Sequence, residues 1–211
     1  MLIFDNLDIR VYATEIKHCG STPHGPQRTL AEKAAAKRLL HEAFPLMRHI
    51  AIGHHPSGAP FLTLADGNTP DKPMPAISIS HSREIAVLAV APPGTALGID
   101  TETADRSEQL TRLAPRFLAP DQTAYWSNSP ATLFWAWTIK EAAYKAAGND
   151  RLTIREIPLP LEVPLGHPTP DSRITIDRKD YWVVQIDQPH QASVVMMVFA
   201  PADGNAPFAA G

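Results

Sequence analysis

Two carboxylates stand two positions apart in the segment LGIDTETADR, residues 97–106. An apolar approach leads into Asp100 and Glu102, which is typical of a β-strand, where residues two apart lie on the same face. Like charges on one half-buried face repel each other, and a hard divalent cation such as Mg²⁺ relieves that repulsion because it prefers oxygen ligands. Carboxylate pairs in this pattern are more often solvated loop charges, so both interpretations stay open at this point.

A second group of charged residues lies in WTIKEAAYK, residues 137–145. On an α-helix, Trp137, Glu141 and Lys145 follow at intervals of four and share one face, with Lys140 beside them. One interpretation is an amphipathic helix whose Glu141–Lys145 ion pair lies at the surface and contributes about 0.3–0.5 kcal/mol. The alternative is a third carboxylate for the same metal, flanked by ammonium groups that bind phosphate oxygens.

A third segment, AISISHSRE at residues 76–84, ends an alternating strand pattern with Ser80, His81 and Ser82. A histidine at such a boundary is more often a structural hydrogen-bonding group than a catalyst. A serine–histidine hydrolase is conceivable, but the GxSxG pattern of a nucleophile elbow does not surround either serine. The sequence also lacks a glycine-rich phosphate loop and the histidine and cysteine spacing of a zinc site.

The elements that must position these groups predict the α+β class. Helical patterns cover residues 29–44 and about 107–117, another begins at Pro120, and the clearest runs from Ser129-Pro130 to Gly148. Strand patterns alternate with turns rather than with helices, which favours antiparallel sheets. The predicted strands after the first are residues 60–65, 76–80, 85–91, 97–100, 151–157, 173–177, 181–187 and 192–200.

Composition narrows the class of protein. The 211 residues carry a formal net charge of −3, which argues against a non-specific nucleic-acid binder. No apolar run approaches the roughly 20 residues that span a bilayer, so we expect no membrane segment. The opening residues lack a basic n-region and predict a first strand rather than a signal peptide. The single cysteine, Cys19, cannot form an internal disulfide, which fits a cytoplasmic location.

Taken together and in this order, the three segments resemble the 4′-phosphopantetheinyl transferase superfamily, in its larger single-chain type. That family carries SHS, then GID-x-E, then W-x-x-KE-x-x-x-K, and here these are residues 80–82, 98–102 and 137–145. The resemblance implies two similar halves related by a pseudo-twofold axis, each a helix packed on a small antiparallel sheet. We place the halves at 1–95 and 96–211, with a flexible tail at about 202–211, and expect a monomer.

The resemblance also implies a reaction. The 4′-phosphopantetheine arm of coenzyme A would move to a serine of an apo acyl or peptidyl carrier protein, with release of 3′,5′-ADP. Asp100, Glu102 and Glu141 would hold Mg²⁺, with Mn²⁺ as an alternative ion. Glu141 is also the candidate general base for the carrier serine, and Lys145 would contact the pyrophosphate of coenzyme A.

The resemblance places the 3′-phosphate of coenzyme A against Arg28, Ser80 and His81. Trp137 is expected to anchor its helix by packing rather than to bind a ligand. Members often carry a lysine where this chain has Ala59, a lysine at Thr103 and a glutamate at Gln122; these three departures bear on affinity and carrier preference more than on the chemistry.

Two alternatives compete with the transferase. The first is a coenzyme-A-binding relative that has lost activity, and it is disfavoured because the chain keeps Asp100, Glu102, Glu141 and Lys145. The second is the hydrolase that uses His81, which predicts metal-independent turnover of activated esters.

Overall fold

A computed structural model describes residues 1–17, 25–47, 49–66, 72–149, 151–187 and 193–207 of the chain. Cys19 and residues 208–211 of the expected tail lie outside these ranges. The elements follow in chain order: β1 (Leu2–Asn6), β2 (Ile9–Glu15), α1 (Pro26–Ala43), β3 (Ile50–His54), β4 (Pro60–Leu64), β5 (Ala76–His81), β6 (Ile85–Ala91), β7 (Ala96–Thr103), α2 (Ser107–Phe117), α3 (Pro120–Trp126), α4 (Pro130–Ala147), β8 (Arg173–Ile176), β9 (Lys179–Ile186) and β10 (Ser193–Ala200).

The first sheet has the antiparallel order β1-β2-β6-β5 and carries α1 on one face. The opening segment, predicted as one strand, is instead a hairpin, because Leu7 and Asp8 both adopt a φ of 58° and form a tight turn between β1 and β2. Strand β6 is buried along its whole length, as its continuous apolar pattern predicts for a central strand. The helix α1 begins at Pro26, three residues earlier than its pattern indicates.

The second sheet has the antiparallel order β7-β10-β9-β8, and α4 packs across β7 and β10. Helix α4 has the predicted ends: the Ser129 hydroxyl accepts a hydrogen bond from the Thr132 backbone N–H, and Gly148 adopts a left-handed φ of 59°. The α+β class with antiparallel sheets is therefore confirmed. A pseudo-twofold relation between the two halves remains a prediction.

The two sheets pack against each other and share one hydrophobic cluster. Val87 of β6 and Ile99 of β7 both belong to it, as does Val195 of β10. The edge strands β5 and β7 also meet, and the Ile99 backbone N–H donates a 3.0 Å hydrogen bond to the Ser78 hydroxyl. This junction brings the end of β5 beside the acidic part of β7.

Residues 151–157, predicted as a strand, are not one. The segment forms a short 3-10 turn, Ile154–Glu156, and its buried Ile157 packs into the cluster under α4. The alternation of apolar and polar residues therefore belongs to a turn whose apolar side chains pack against the core. Periodicity alone does not distinguish such a turn from a strand. In the part of the chain that the structure describes, none of the helices has the length and apolarity to cross a bilayer.

Candidate functional site

Strand β7 sorts its side chains by alternation. Leu97 and Ile99 point into the cluster between the sheets. The residues between and after them, Gly98, Asp100 and Glu102, therefore face α4. Both carboxylates are buried, and they lie opposite the apolar strand β10 in the sheet. The expected pair on one strand face is thus a feature of the fold and not a pair of solvated loop charges.

Gly98 sets how closely α4 approaches this face. A Cβ atom at residue 98 would stand 1.8 Å from the Ala142 carbonyl oxygen, which no real contact allows. The glycine of the GID motif thus lets the backbone of α4 rest on β7. This close packing places Glu141 and Lys145, the neighbours of Ala142 along the same helix, over the carboxylates.

Asp100 is held through one oxygen by a neutral donor and a cation. Its Oδ1 accepts 2.7 Å hydrogen bonds from the Ser80 hydroxyl and from the Lys145 ammonium group. Lys145 also donates to the Ile99 carbonyl oxygen at 3.0 Å. A strand end, a second strand and a distant helix therefore meet at one carboxylate oxygen.

Glu102 is held in the same way. Its Oε1 accepts a 3.2 Å hydrogen bond from the Trp137 indole N–H and a close ion pair from Arg106. The Trp137 ring packs edge-on against Phe117, with ring centroids 5.0 Å apart. Trp137 is thus a packing anchor, as expected, and it additionally orients a carboxylate.

Burial and the repulsion between like charges change the pKa values of two carboxyl groups in this site. Burial raises the pKa of Glu141, and the charge of Asp100 raises it further, while Lys145 and Arg106 act in the opposite direction. Burial likewise raises the pKa of Glu102, Arg106 opposes it, and Asp100 adds to it. Glu141 and Glu102 are therefore coupled to the same neighbour, Asp100, and both gain affinity for a proton.

The donor set suits a divalent cation, although the side chains are not gathered around one. Among the described residues, no three histidine, cysteine or carboxylate side chains come close enough together to form a ready metal site. Asp100, Glu102 and Glu141 nevertheless supply only oxygen donors, the chemistry that Mg²⁺ and Mn²⁺ prefer. In this structure Lys145 pairs with Asp100, and Arg106 pairs with Glu102.

The proposed 3′-phosphate residues divide between two faces of β5. Alternation turns Ser80 toward β7, where its hydroxyl binds Asp100, and turns His81 toward α1. There the Glu32 carboxylate lies 2.7 Å from the Arg28 Nε atom and 3.4 Å from the His81 Nδ1 atom. The structure therefore brings Arg28 and His81 together around one anion, and it places the Ser80 hydroxyl elsewhere.

Lys140 does not flank this site. It is completely buried on α4, and its ammonium group donates to the carbonyl oxygens of Ile154 at 3.1 Å, Arg155 at 3.3 Å and Ile157. Burial lowers the pKa of Lys140 to about 8. The alternative that made it a phosphate-binding group is wrong, and the residue instead ties the 3-10 turn to α4.

Two departures from the family pattern have structural roles. Gln122 accepts a 3.1 Å hydrogen bond from the Ala119 backbone N–H and donates one of 3.1 Å to the Ile157 carbonyl oxygen, so it caps α3 and holds the next turn. Thr103 donates its hydroxyl proton to the Asp105 carboxylate, which also pairs with Arg83.

Sequence reasoning missed Arg106 and Glu32. Both stand four residues from their partners, Glu102 and Arg28, and that spacing was a signal that could have found them. The spacing predicts a pair only for a helix, however, and Glu102 lies at the end of a strand.

Comparison with known proteins finds a family similarity in the second part of the chain. No curated protein matches the chain. A family model, described as 4′-phosphopantetheinyl transferase superfamily, matches residues 96–195. The match runs from the start of β7 into β10 and includes Asp100, Glu102, Glu141 and Lys145, while Arg28, Ser80 and His81 precede it. Over this segment, which is slightly less than half of the chain, the protein is similar to the 4′-phosphopantetheinyl transferase superfamily, a family of transferases.

Proposed function

We propose that the protein transfers the 4′-phosphopantetheine arm of coenzyme A to a serine of an apo acyl or peptidyl carrier protein and releases 3′,5′-ADP. The similarity to this family of transferases supports group transfer in general. The observation that carries the finer proposal is the meeting of α4 and β7, which puts Glu141 and Lys145 beside two buried carboxylates. Buried acidic groups with a paired ammonium group suit a reaction that develops charge on phosphate oxygens.

Asp100, Glu102 and Glu141 would hold Mg²⁺ or Mn²⁺. When bound, the ion would neutralise negative charge on the phosphoryl oxygens of coenzyme A. Glu141 is the candidate general base, because its raised pKa favours acceptance of the proton from the carrier serine. Lys145 has three N–H donors and uses two of them on Ile99 and Asp100, so a third can bind a pyrophosphate oxygen.

Arg28 and His81 would bind the 3′-phosphate of coenzyme A. Their convergence on the Glu32 carboxylate supports this role, since two side chains that reach one carboxylate oxygen can also reach a phosphate. Ser80 belongs to the same proposal through its place in the SHS motif, and its hydroxyl would remain on Asp100 while its neighbour binds the phosphate. A single chain as the functional unit, a cytoplasmic location and halves at 1–95 and 96–211 remain predictions.

A coenzyme-A-binding relative without transferase activity is the second candidate. One observation favours it: cations of the protein itself pair with Asp100 and Glu102, and the described residues contain no ready metal cluster. This candidate predicts coenzyme A binding through Arg28 and His81 but no modification of a carrier.

The intact mass of the carrier distinguishes the two. Apo carrier proteins from fatty-acid, polyketide and peptide synthetases are incubated with the protein, coenzyme A and Mg²⁺. We expect at least one carrier to gain one phosphopantetheine unit, and we expect a chelator to prevent the gain. Unchanged mass across the panel, with coenzyme A binding intact by calorimetry, would establish the binding relative instead.

A further inference from the structure

We propose that Arg106 sets the charge of the carboxylate site, so that a divalent cation binds weakly by itself and tightly only together with the diphosphate of coenzyme A. The inference rests on the proposed function, because it concerns the ion and the substrate assigned there. It assigns to Arg106 the control of metal affinity, a role separate from contact with the substrate.

The geometry of Glu102 identifies Arg106 as a built-in counterion. The Glu102 side chain is 8% exposed, and its Oε1 takes both the guanidinium group of Arg106 and the indole N–H of Trp137. The Nε atom of Arg106 also donates a 3.0 Å hydrogen bond to the Gln109 side-chain oxygen. Gln109 therefore holds the guanidinium group against Glu102 from the side of α2.

The position of Arg106 in the fold keeps this counterion close to the site. Arg106 is the last residue of the 3-10 turn Ala104–Arg106 between β7 and α2. Asp105 within the turn accepts hydrogen bonds from Thr103 and Arg83, which fix the turn to its surroundings. The Arg106 side chain is 34% exposed, so it lies at the rim of the site while its charge acts on a buried carboxylate.

The net charge of the site determines how strongly it binds a divalent cation. With all three carboxylates ionised, Asp100, Glu102 and Glu141 exceed the cations Lys145 and Arg106 by a single negative charge. A free divalent cation would therefore leave the site with an excess positive charge beside two fixed cations. A cation that arrives with a diphosphate brings compensating negative charge, and the same fixed cations then attract the complex.

Removal of the Arg106 charge should uncouple the two ligands. Arg106→Gln leaves two excess negative charges, and we expect free Mn²⁺ to bind it about tenfold more tightly, since a nearby unit charge in a partly solvated site has an effect of this order. In the wild-type protein, saturating coenzyme A should raise the Mn²⁺ affinity by about tenfold, a coupling of ordinary size. The variant should show a smaller rise.

The experiment is a titration with Mn²⁺ in which the electron paramagnetic resonance signal of the free ion is measured. It is run with and without coenzyme A, and Mn²⁺ bound by coenzyme A alone is subtracted. Arg112→Gln is the matched control, because it removes the same charge from an exposed position on α2. Arg106→Lys keeps the charge, and it should bind Mn²⁺ within about threefold of the wild-type affinity.

The outcomes separate this inference from the function on which it rests. Arg106→Gln that binds free Mn²⁺ no more tightly than Arg112→Gln would overturn the inference and leave the transferase proposal intact. A wild-type affinity for Mn²⁺ that is the same with and without coenzyme A would overturn it without any variant. Wild-type protein that takes up no Mn²⁺ under either condition would contradict the metal site and both proposals.

Discussion

The two ends of the proposed coenzyme A site are built differently. At the acidic end, Asp100 and Glu102 are buried, and each is fixed through one oxygen by a neutral donor and a cation. At the 3′-phosphate end, Arg28 and His81 are exposed and share the Glu32 carboxylate. At both ends, charged side chains pair with other side chains of the protein, but only at the acidic end are the paired carboxylates buried.

This difference separates the residues that position the reacting groups from the residues that set the affinity for coenzyme A. Exposed ion pairs contribute little to stability and are screened by salt, so the residues around Glu32 can exchange one anion for another at small cost. Buried charges with several partners are costly to disturb. We therefore expect the acidic end to affect folding where its packing is disturbed and transfer where a charge is removed with its shape kept, and we expect changes at the 3′-phosphate end to affect substrate affinity alone.

The largest effect is expected at Gly98. Gly98→Ala forces a Cβ atom into the Ala142 carbonyl oxygen, so α4 must move away from β7, and we expect a loss of about 3 kcal/mol or more in the free energy of unfolding. Urea denaturation measures it. Gly53→Ala is the matched control, because its new Cβ meets only the ring of the half-exposed Phe61, which can turn aside. Equal losses in the two variants would contradict the close packing of α4 on β7.

Lys140 tests how much the contact between α4 and the 3-10 turn contributes to stability. Lys140→Met removes an ammonium group that donates to three carbonyl oxygens in and directly after the 3-10 turn, and we expect a loss of about 2 kcal/mol in the free energy of unfolding at pH 7. The pKa of Lys140 falls from 10.5 to about 8 on folding, so between these values the unfolded chain binds more protons than the folded one. The stability of the wild-type protein should therefore rise with pH across this range relative to Lys140→Met. A difference that stays constant from pH 7.5 to 10 would show that the ammonium group keeps its proton.

His81 tests the 3′-phosphate end. His81→Ala removes one of two groups that converge on Glu32, and we expect about a tenfold loss in affinity for coenzyme A, typical of a lost charge-assisted hydrogen bond. Calorimetry with dephospho-coenzyme A, which lacks the 3′-phosphate, is the control and should show little change. Equal losses for both ligands would remove His81 from the phosphate site. The unfolding midpoint should stay near the wild-type value.

Glu32 gives the smallest effect and sharpens the comparison most. Glu32→Gln removes the carboxylate that competes with a phosphate for Arg28 and His81, so coenzyme A should bind about twofold to threefold more tightly, a gain limited by solvent screening. The gain should disappear in high salt and should be absent for dephospho-coenzyme A. Weaker binding of coenzyme A by the variant would instead show that Glu32 positions Arg28 and His81.

The sequence predicts the elements better than the contacts between them. The caps of α4, the buried strand β6 and the carboxylate pair on β7 all follow from local pattern. The strand prediction for residues 151–157 is wrong, because the carbonyl oxygens of this segment bind the ammonium group of a buried lysine instead of pairing in a sheet. Periodicity reports which residues are buried, and it does not report what they are buried against.

The contacts of the site depend on elements that are distant in the chain. The hydrogen bond from Ser80 to Asp100 forms only because the edges of the two sheets meet. Arg106 reaches Glu102 only because the chain turns back after the end of β7. The reason for the glycine of the GID motif appears only once α4 lies on β7. Residue types therefore indicate which groups could take part in chemistry, and tertiary packing decides which partners each group has.

Asp100→Asn tests the central claim, that buried carboxylates of β7 support metal-dependent transfer. Asparagine keeps the shape and one oxygen for Ser80 and Lys145, so the unfolding midpoint should remain close to that of the wild-type protein. The rate at which an apo carrier gains phosphopantetheine, followed by intact mass, should fall by at least about a hundredfold, as expected for the loss of a charge that acts in the transition state. A variant that modifies the carrier at a near-wild-type rate would contradict the account.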